Sequence, residues 1–120
     1  MDSVIYPSVE NAYQAAKTTG DRTVFCSCGP GEAKRLGRQL VIREDWDKIK
    51  IEVMRDLIRQ KFKKDSLLGT RLLLTGDELL VEGNSWGDVF WGVCNGVGEN
   101  NLGKILMEQR AAIKRNKNVI

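Results

Sequence analysis

REDWDKIKIEVMRDLIRQKFKKD, residues 43 to 65, decides the fold. Trp46, Ile49, Val53, Leu57 and Ile58 recur at helical spacing. Acidic residues gather early and lysines late, which suits the helix dipole. The segment predicts a long amphipathic helix whose apolar stripe makes it the central core helix. One stripe cannot bury itself, so flanking segments must cover it.

Upstream, YPSVENAYQAAK (residues 6 to 17) predicts another helix. Pro7 and Ser8 are start signals, and Ser8 can cap the first turn. The alanines that follow are the best helix formers. At about 100° per residue, Glu10, Gln14 and Lys17 share an arc of roughly 60°, away from Val9, Ala12 and Ala16. A solvated surface stripe is one reading of these polar residues; a functional wall is the other. Between the two helices, GDRTVFCSC reads as a turn with a short, partly buried segment. GPGEAKRLGRQL reads as a short helix with Pro30 near its start and Glu32 in its first turn.

Downstream, SLLGTRLLLTG predicts a shorter apolar helix closed by Gly76. Leu79 to Glu82 and Val89 to Val93 predict short strands. NLGKILMEQRAAIKRN predicts a final amphipathic helix with Leu102, Ile105, Leu106 and Ile113 inward, capped by Asn100 or Asn101. The pattern is α+β, a predominantly helical single domain over residues 1–120 with a few short strands.

Composition narrows the function classes. A chain of 120 residues, 42% hydrophobic and 29% charged, suits one core and is neither disordered nor membrane-spanning. The start MDSVIYPSVE lacks the basic and apolar regions of a signal peptide, so a cytoplasmic protein with no membrane partner is expected. Net charge is +3, too mild to argue for nucleic-acid binding, and the basic tail KRNKNVI reads as a frayed helix end. Cys26, Cys28 and Cys94 are an odd set of three, which argues against a complete disulfide framework. With no histidine, a structural zinc site lacks its usual ligands and Ser-His or Cys-His nucleophile pairs are excluded. No metal and no cofactor are expected; catalysis would fall to carboxylates, lysine, tyrosine or cysteine.

The loop from Ser85 to Gly103 sets Trp86, Phe90 and Trp91 among glycines, an arrangement that can frame a ring-shaped ligand or anchor a core. Asp88 between the tryptophans must be solvated, paired or functional. GENNLG leads into the last helix, and a glycine-flanked helix start can also take an anion.

In order, YPSVENAYQAAK, GPGEAKRLGR, WDKIKIEVMRDLIRQKF, LLLTGDELLVE, WGDVFWG and NLGKILMEQR resemble the YbiA-like, or NADAR, family over about residues 6 to 112. The resemblance implies a mostly helical α+β domain and an N-glycosidase acting on ADP-ribosyl or phosphoribosyl compounds, such as ADP-ribosylated guanine or riboflavin-pathway intermediates. It places the family's helix glutamate on Glu10, its helix lysine on Lys17 and its loop aspartate on Asp88. These three are the implied catalytic residues. The implied substrate-binding set is Tyr13, Gln14, Trp86, Trp91, Gly92, Asn100 and Gly103, with spacing favouring Asn100 over Asn101. The implied partner is a small nucleotide or ribose phosphate, with ADP-ribosylated nucleic acid as a further candidate. Asn11 stands where the family carries a histidine. Members begin earlier, with an aromatic S-N-F-type segment and a strand that this chain is expected to lack. A non-catalytic ADP-ribose-binding module is the alternative reading.

Overall fold

The computed structural model describes residues 5–117, side chains of Asn116 and Lys117 excepted. Residues 1–4, part of the short leader before Tyr6, and 118–120, the end of the basic tail, lie outside the described residues. Five α-helices and one two-stranded sheet among the described residues make the α+β, predominantly helical fold the sequence predicts. The chain divides into two compact units, the first ending at Leu57 and the second beginning at Ile58.

In the first unit, α1 spans Val9–Ala16 and is capped by Ser8, whose hydroxyl accepts from the Asn11 N–H at 3.0 Å. A 3₁₀ turn covers Thr23–Cys26, and α2 spans Pro30–Gly37 with proline in its first turn. Ala15, Phe25 and Ala33 are wholly buried together, with Tyr6, Cys28, Leu36 and Leu40 packed around them. Small alanines let α1 and α2 approach closely while one phenyl ring fills the gap. The Arg43 N–H then donates to the Lys17 carbonyl at 2.8 Å, returning the chain to the end of α1 before α3 starts.

The long predicted helix is α3, Trp46–Lys61, shorter at both ends than residues 43 to 65. Trp46, Leu57 and Ile58 are buried as expected, and Met54 joins them; Ile49 and Val53 are half-buried.

In the second unit, α4 spans Leu67–Leu74, with Ser66 accepting from the Gly69 N–H at 3.0 Å and Gly76 at φ 64° beyond its end. The final helix, α5, spans Asn101–Lys117 and packs on α4. Ile105 and Ile113 are buried, Leu102 and Leu106 half-buried. Arg110, also buried, donates to the Thr75 hydroxyl at 2.8 Å.

The two predicted strands are corrected. The sheet is β1, Gly83–Asn84, parallel to β2, Val93–Cys94, with Gly83 opposite Val93. Leu79 to Glu82 is not a strand because the Asn100 side-chain amide holds it: Nδ2 donates to the Leu80 carbonyl and Oδ1 accepts from the Glu82 N–H, both at 2.9 Å. Residues 89–92 do not extend because the Asp88 carboxylate draws the Phe90 and Trp91 amides into a turn. Among the described residues, no helix is long and apolar enough to cross a membrane.

Candidate active site

On α1 the polar stripe is built rather than merely solvated. Gln14 is only 3% exposed, and its Nε2 donates to Glu10 Oε1 at 3.0 Å. Its own Oε1 is buried without a hydrogen-bond partner. The reason is Gly37 of α2: a Cβ there would come within 1.9 Å of Gln14 Oε1. The glutamine therefore lies flat against glycine backbone, and this seat aims its amide at Glu10. Gln14, expected among the substrate-binding residues, here holds the carboxylate with its amide.

Lys17 follows the last turn of α1 as its C-cap residue and is half-buried. Burial pushes its ammonium below the ordinary lysine value of 10.5; Glu10 opposes that, and Arg38, Lys34 and Lys50 add to it. Its Nζ lies 5.5 Å from the centre of the Tyr13 ring, and Tyr13 in turn meets Trp46 at 5.1 Å. Tyr13 is 6% exposed and supports Lys17 from within the core.

Asn11 is wholly buried. Its Nδ2 donates to the carbonyls of Phe25 and Cys28 at 2.9 and 2.7 Å, and its Oδ1 accepts from the Ser8 hydroxyl at 2.6 Å. It stitches α1 to the 3₁₀ turn and needs no titration to do so. Sequence reasoning missed this role, and missed that Lys34, Arg38 and Lys50 act on the charge of Lys17. The spacing of Lys34 and Arg38, four apart on one helix face, was the available signal.

The remaining predicted residues lie in the second unit. Asp88 Oδ1 accepts from the N–H groups of Phe90 and Trp91 at 3.1 and 2.9 Å, and Asn84 brackets its backbone. This carboxylate organises its own loop. Trp91 is half-buried with its ring edge-on to Phe90 at 4.8 Å, whereas Trp86 is 64% exposed. Gly92 and Gly103 are spacers: a Cβ would come within 2.1 Å of the Glu82 carbonyl at one and 2.3 Å of the Leu80 carbonyl at the other.

At the start of α5, where an anion site was expected, two amides are already engaged. The Asn101 N–H donates to the Phe90 carbonyl at 3.2 Å and the Leu102 N–H to the Trp91 carbonyl at 2.9 Å. Asn100 does not cap the helix with its side chain, which spans Leu80 and Glu82 instead. It adopts φ 54°, a left-handed conformation that asparagine enters more readily than most side chains.

All three cysteines are free and half-buried. No group of three metal-ligating side chains occurs among the described residues.

A profile of the NADAR domain matches residues 1–114, and the chain belongs to that family. It is 41% identical over 118 residues to a protein of Nostoc punctiforme named as an N-glycosidase, covering 91% of this chain and 75% of that one. A Vibrio vulnificus protein named as a riboflavin biosynthesis protein is 41% identical over 115 residues, covering 91% of this chain but 31% of that longer one. The NMR structure of the E. coli protein YbiA superposes with a TM-score of 0.88 at 32% identity, covering 100% of this chain and 74% of that one.

Proposed function

We propose that the protein is an N-glycosidase acting on ribose-phosphate compounds of the phosphoribosyl or ADP-ribosyl kind, in the cytoplasm. The observation that carries this reading is the Glu10–Gln14 pair beside Lys17: a carboxylate held by a buried amide, next to an amine whose burial favours its neutral form. The N-glycosidase names of relatives support it.

Breaking an N-glycosidic bond builds positive charge at the anomeric carbon. Glu10 is suited to stabilise that charge while water adds to the carbon and the nitrogen leaves with the bonding pair and a proton. Lys17 offers a second route. Its free amine would add to C1 of the ring-opened sugar, the leaving nitrogen would depart with a proton, and water would hydrolyse the resulting imine.

Binding without turnover is the second reading. It is favoured by Asp88, whose carboxylate is engaged in its own loop and is less available for chemistry. Product analysis decides between them. Incubation with ADP-ribosylated guanine and with phosphoribosyl pyrimidine and purine precursors should release free base and sugar phosphate from one class. Binding of these compounds with no release from any would overturn the glycosidase reading.

A further inference from the structure

In the second unit, residues 79–84 have one edge filled and one edge open. On the filled edge the Asn100 side-chain amide donates to the Leu80 carbonyl and accepts from the Glu82 N–H, as a residue of a neighbouring parallel strand would. The Glu82 carbonyl then accepts from the Val93 N–H at 2.8 Å, and β1 pairs with β2. Backbone groups alternate sides along an extended chain, so those of Leu79 and Val81 face the other way. On that side, among the described residues, the Leu79 N–H, the Leu79 carbonyl and the Val81 N–H make no hydrogen bond. One bond, from the Gly83 N–H to the Val81 carbonyl at 3.1 Å, closes a local bend. The side chains are uncovered too: Leu79 is 73% exposed and Val81 50%. A groove of about 380 Å³ beside them is lined by Phe62, Leu68, Leu72, Val81 and Leu106.

An unpaired edge is a template for another strand, and edges left open are ordinarily guarded by charge or proline. A guard would sit among the exposed residues, yet the stretch from Leu79 to Val81 is apolar and the charges stand at its ends. These are Glu78 and Glu82, neither in an ion pair among the described residues. Asp77, just before them, has Lys114 at 3.9 Å, and Arg71 lines the groove from α4 and not from the edge. Residues directly opposite across a strand pair interact. An added strand therefore needs lysine or arginine facing Glu78 and Glu82, and apolar residues facing the three between. We propose that residues 78–82 bind an extended segment of a partner protein, patterned as one basic, three apolar and one basic residue, which adds a strand to this edge. The backbone row selects a peptide over a small apolar ligand, and the two glutamates select its charge. A second copy pairing antiparallel about Leu80 would set Glu78 against Glu82, two like charges, so a copy of this chain is the poorer occupant.

The test is an NMR titration of the isotope-labelled full chain with two capped peptides, Gly-Lys-Val-Leu-Val-Lys-Gly and its counterpart with glutamate for both lysines. The lysine peptide should bind about tenfold more tightly, since two cross-strand pairs change from like to opposite charge. It should shift the Leu79 and Val81 amides and slow their exchange. Val81→Pro removes the outward N–H where an edge tolerates proline, so the variant should fold and lose binding. Glu78→Lys combined with Glu82→Lys leaves the backbone row intact and should reverse the preference toward the glutamate peptide. That reversal decides the matter even if the proline variant fails to fold. Equal binding of both peptides, parent-like binding by folded Val81→Pro, no reversal, or no binding of the lysine peptide up to millimolar concentration would overturn the strand-addition site. So would a dimer mass by light scattering with the Leu79 and Val81 amides protected before any peptide is added, which would give the edge to a second copy.

Discussion

Glu10 and Lys17 occupy one stripe of α1 but depend on different neighbours. Glu10 accepts from the Gln14 amide. Glu10→Gln preserves shape, removes charge and sets two amides face to face. It should lower the turnover rate by about 10²-fold or more, the scale of one positioned group, with little change in melting temperature. Unaltered turnover would show that Glu10 does not stabilise the developing charge. Lys17 has its proton affinity reduced chiefly by burial, reinforced by Arg38, Lys34 and Lys50 and opposed by Glu10. If it works as a free amine, kcat should rise with pH through an inflection below 10.5, and borohydride should trap an adduct on Lys17. Lys17→Arg keeps the charge and loses the nucleophile, so neither turnover nor adduct should survive. Substantial activity in that variant, with no adduct in the parent, would reduce Lys17 to a phosphate partner. The same lowering has a stability sign. Between the lowered value and 10.5 the unfolded chain binds more protons than the folded one, so the Lys17 contribution to stability rises with pH across that window. Lys17→Met should flatten that rise in urea titrations followed against pH.

The contact between α1 and α2 turns on Gly37, and its prediction follows from two opposing effects. An alanine in place of a helical glycine ordinarily stabilises by about 0.5–1 kcal/mol. Here the added methyl would meet the amide of Gln14, whose side chain is buried and has little room to retreat. Gly37→Ala should therefore destabilise, by about 1–3 kcal/mol, the usual cost of overpacking. It should also reduce turnover by pushing Gln14 off Glu10. Gln14→Ala in the same chain should recover stability but not turnover, and a double-mutant cycle by chemical denaturation measures the coupling. Additive effects would mean that α1 and α2 do not share this seat. The elements themselves were legible because local rules set them: Ser8 and Ser66 cap helices, Pro30 opens one, and Gly76 closes one. The seat was not legible, because Gln14 and Gly37 are far apart in sequence and nothing local pairs them. The strand at Leu79 to Glu82 failed for the same reason, and the one at Val89 to Val93 failed for a local one. Asn100, some twenty residues on, took the Leu80 and Glu82 backbone groups, and Asp88 took the Phe90 and Trp91 amides just after it.

Across the whole molecule, six ordered sequence blocks made the family legible, because they carry spacing as well as composition. The site was legible only in part. Residue types pointed to Glu10, Lys17 and Asp88, but burial and hydrogen bonding separate a positioned carboxylate at Glu10 from a loop organiser at Asp88. Charge distribution was the least legible feature, since a net +3 does not say which cations act on Lys17. The summed field yields a prediction that no single substitution can test. A phosphate-bearing substrate approaching a chain of net charge +3 is attracted over distances that salt controls: the Debye length is about 30 Å at 0.01 M and about 8 Å at 0.15 M ionic strength. Raising salt across that range should lower kcat/KM several-fold for a phosphoribosyl compound. The change should lie in KM, because a bound substrate is held at short range where screening is weak. The corresponding unphosphorylated nucleoside, if turned over, should show a nearly flat dependence. Steady-state kinetics on both substrates at matched salt makes the comparison. A fall in kcat itself, or an equal loss for the neutral substrate, would mean that salt acts on the fold or the chemistry and not on phosphate capture.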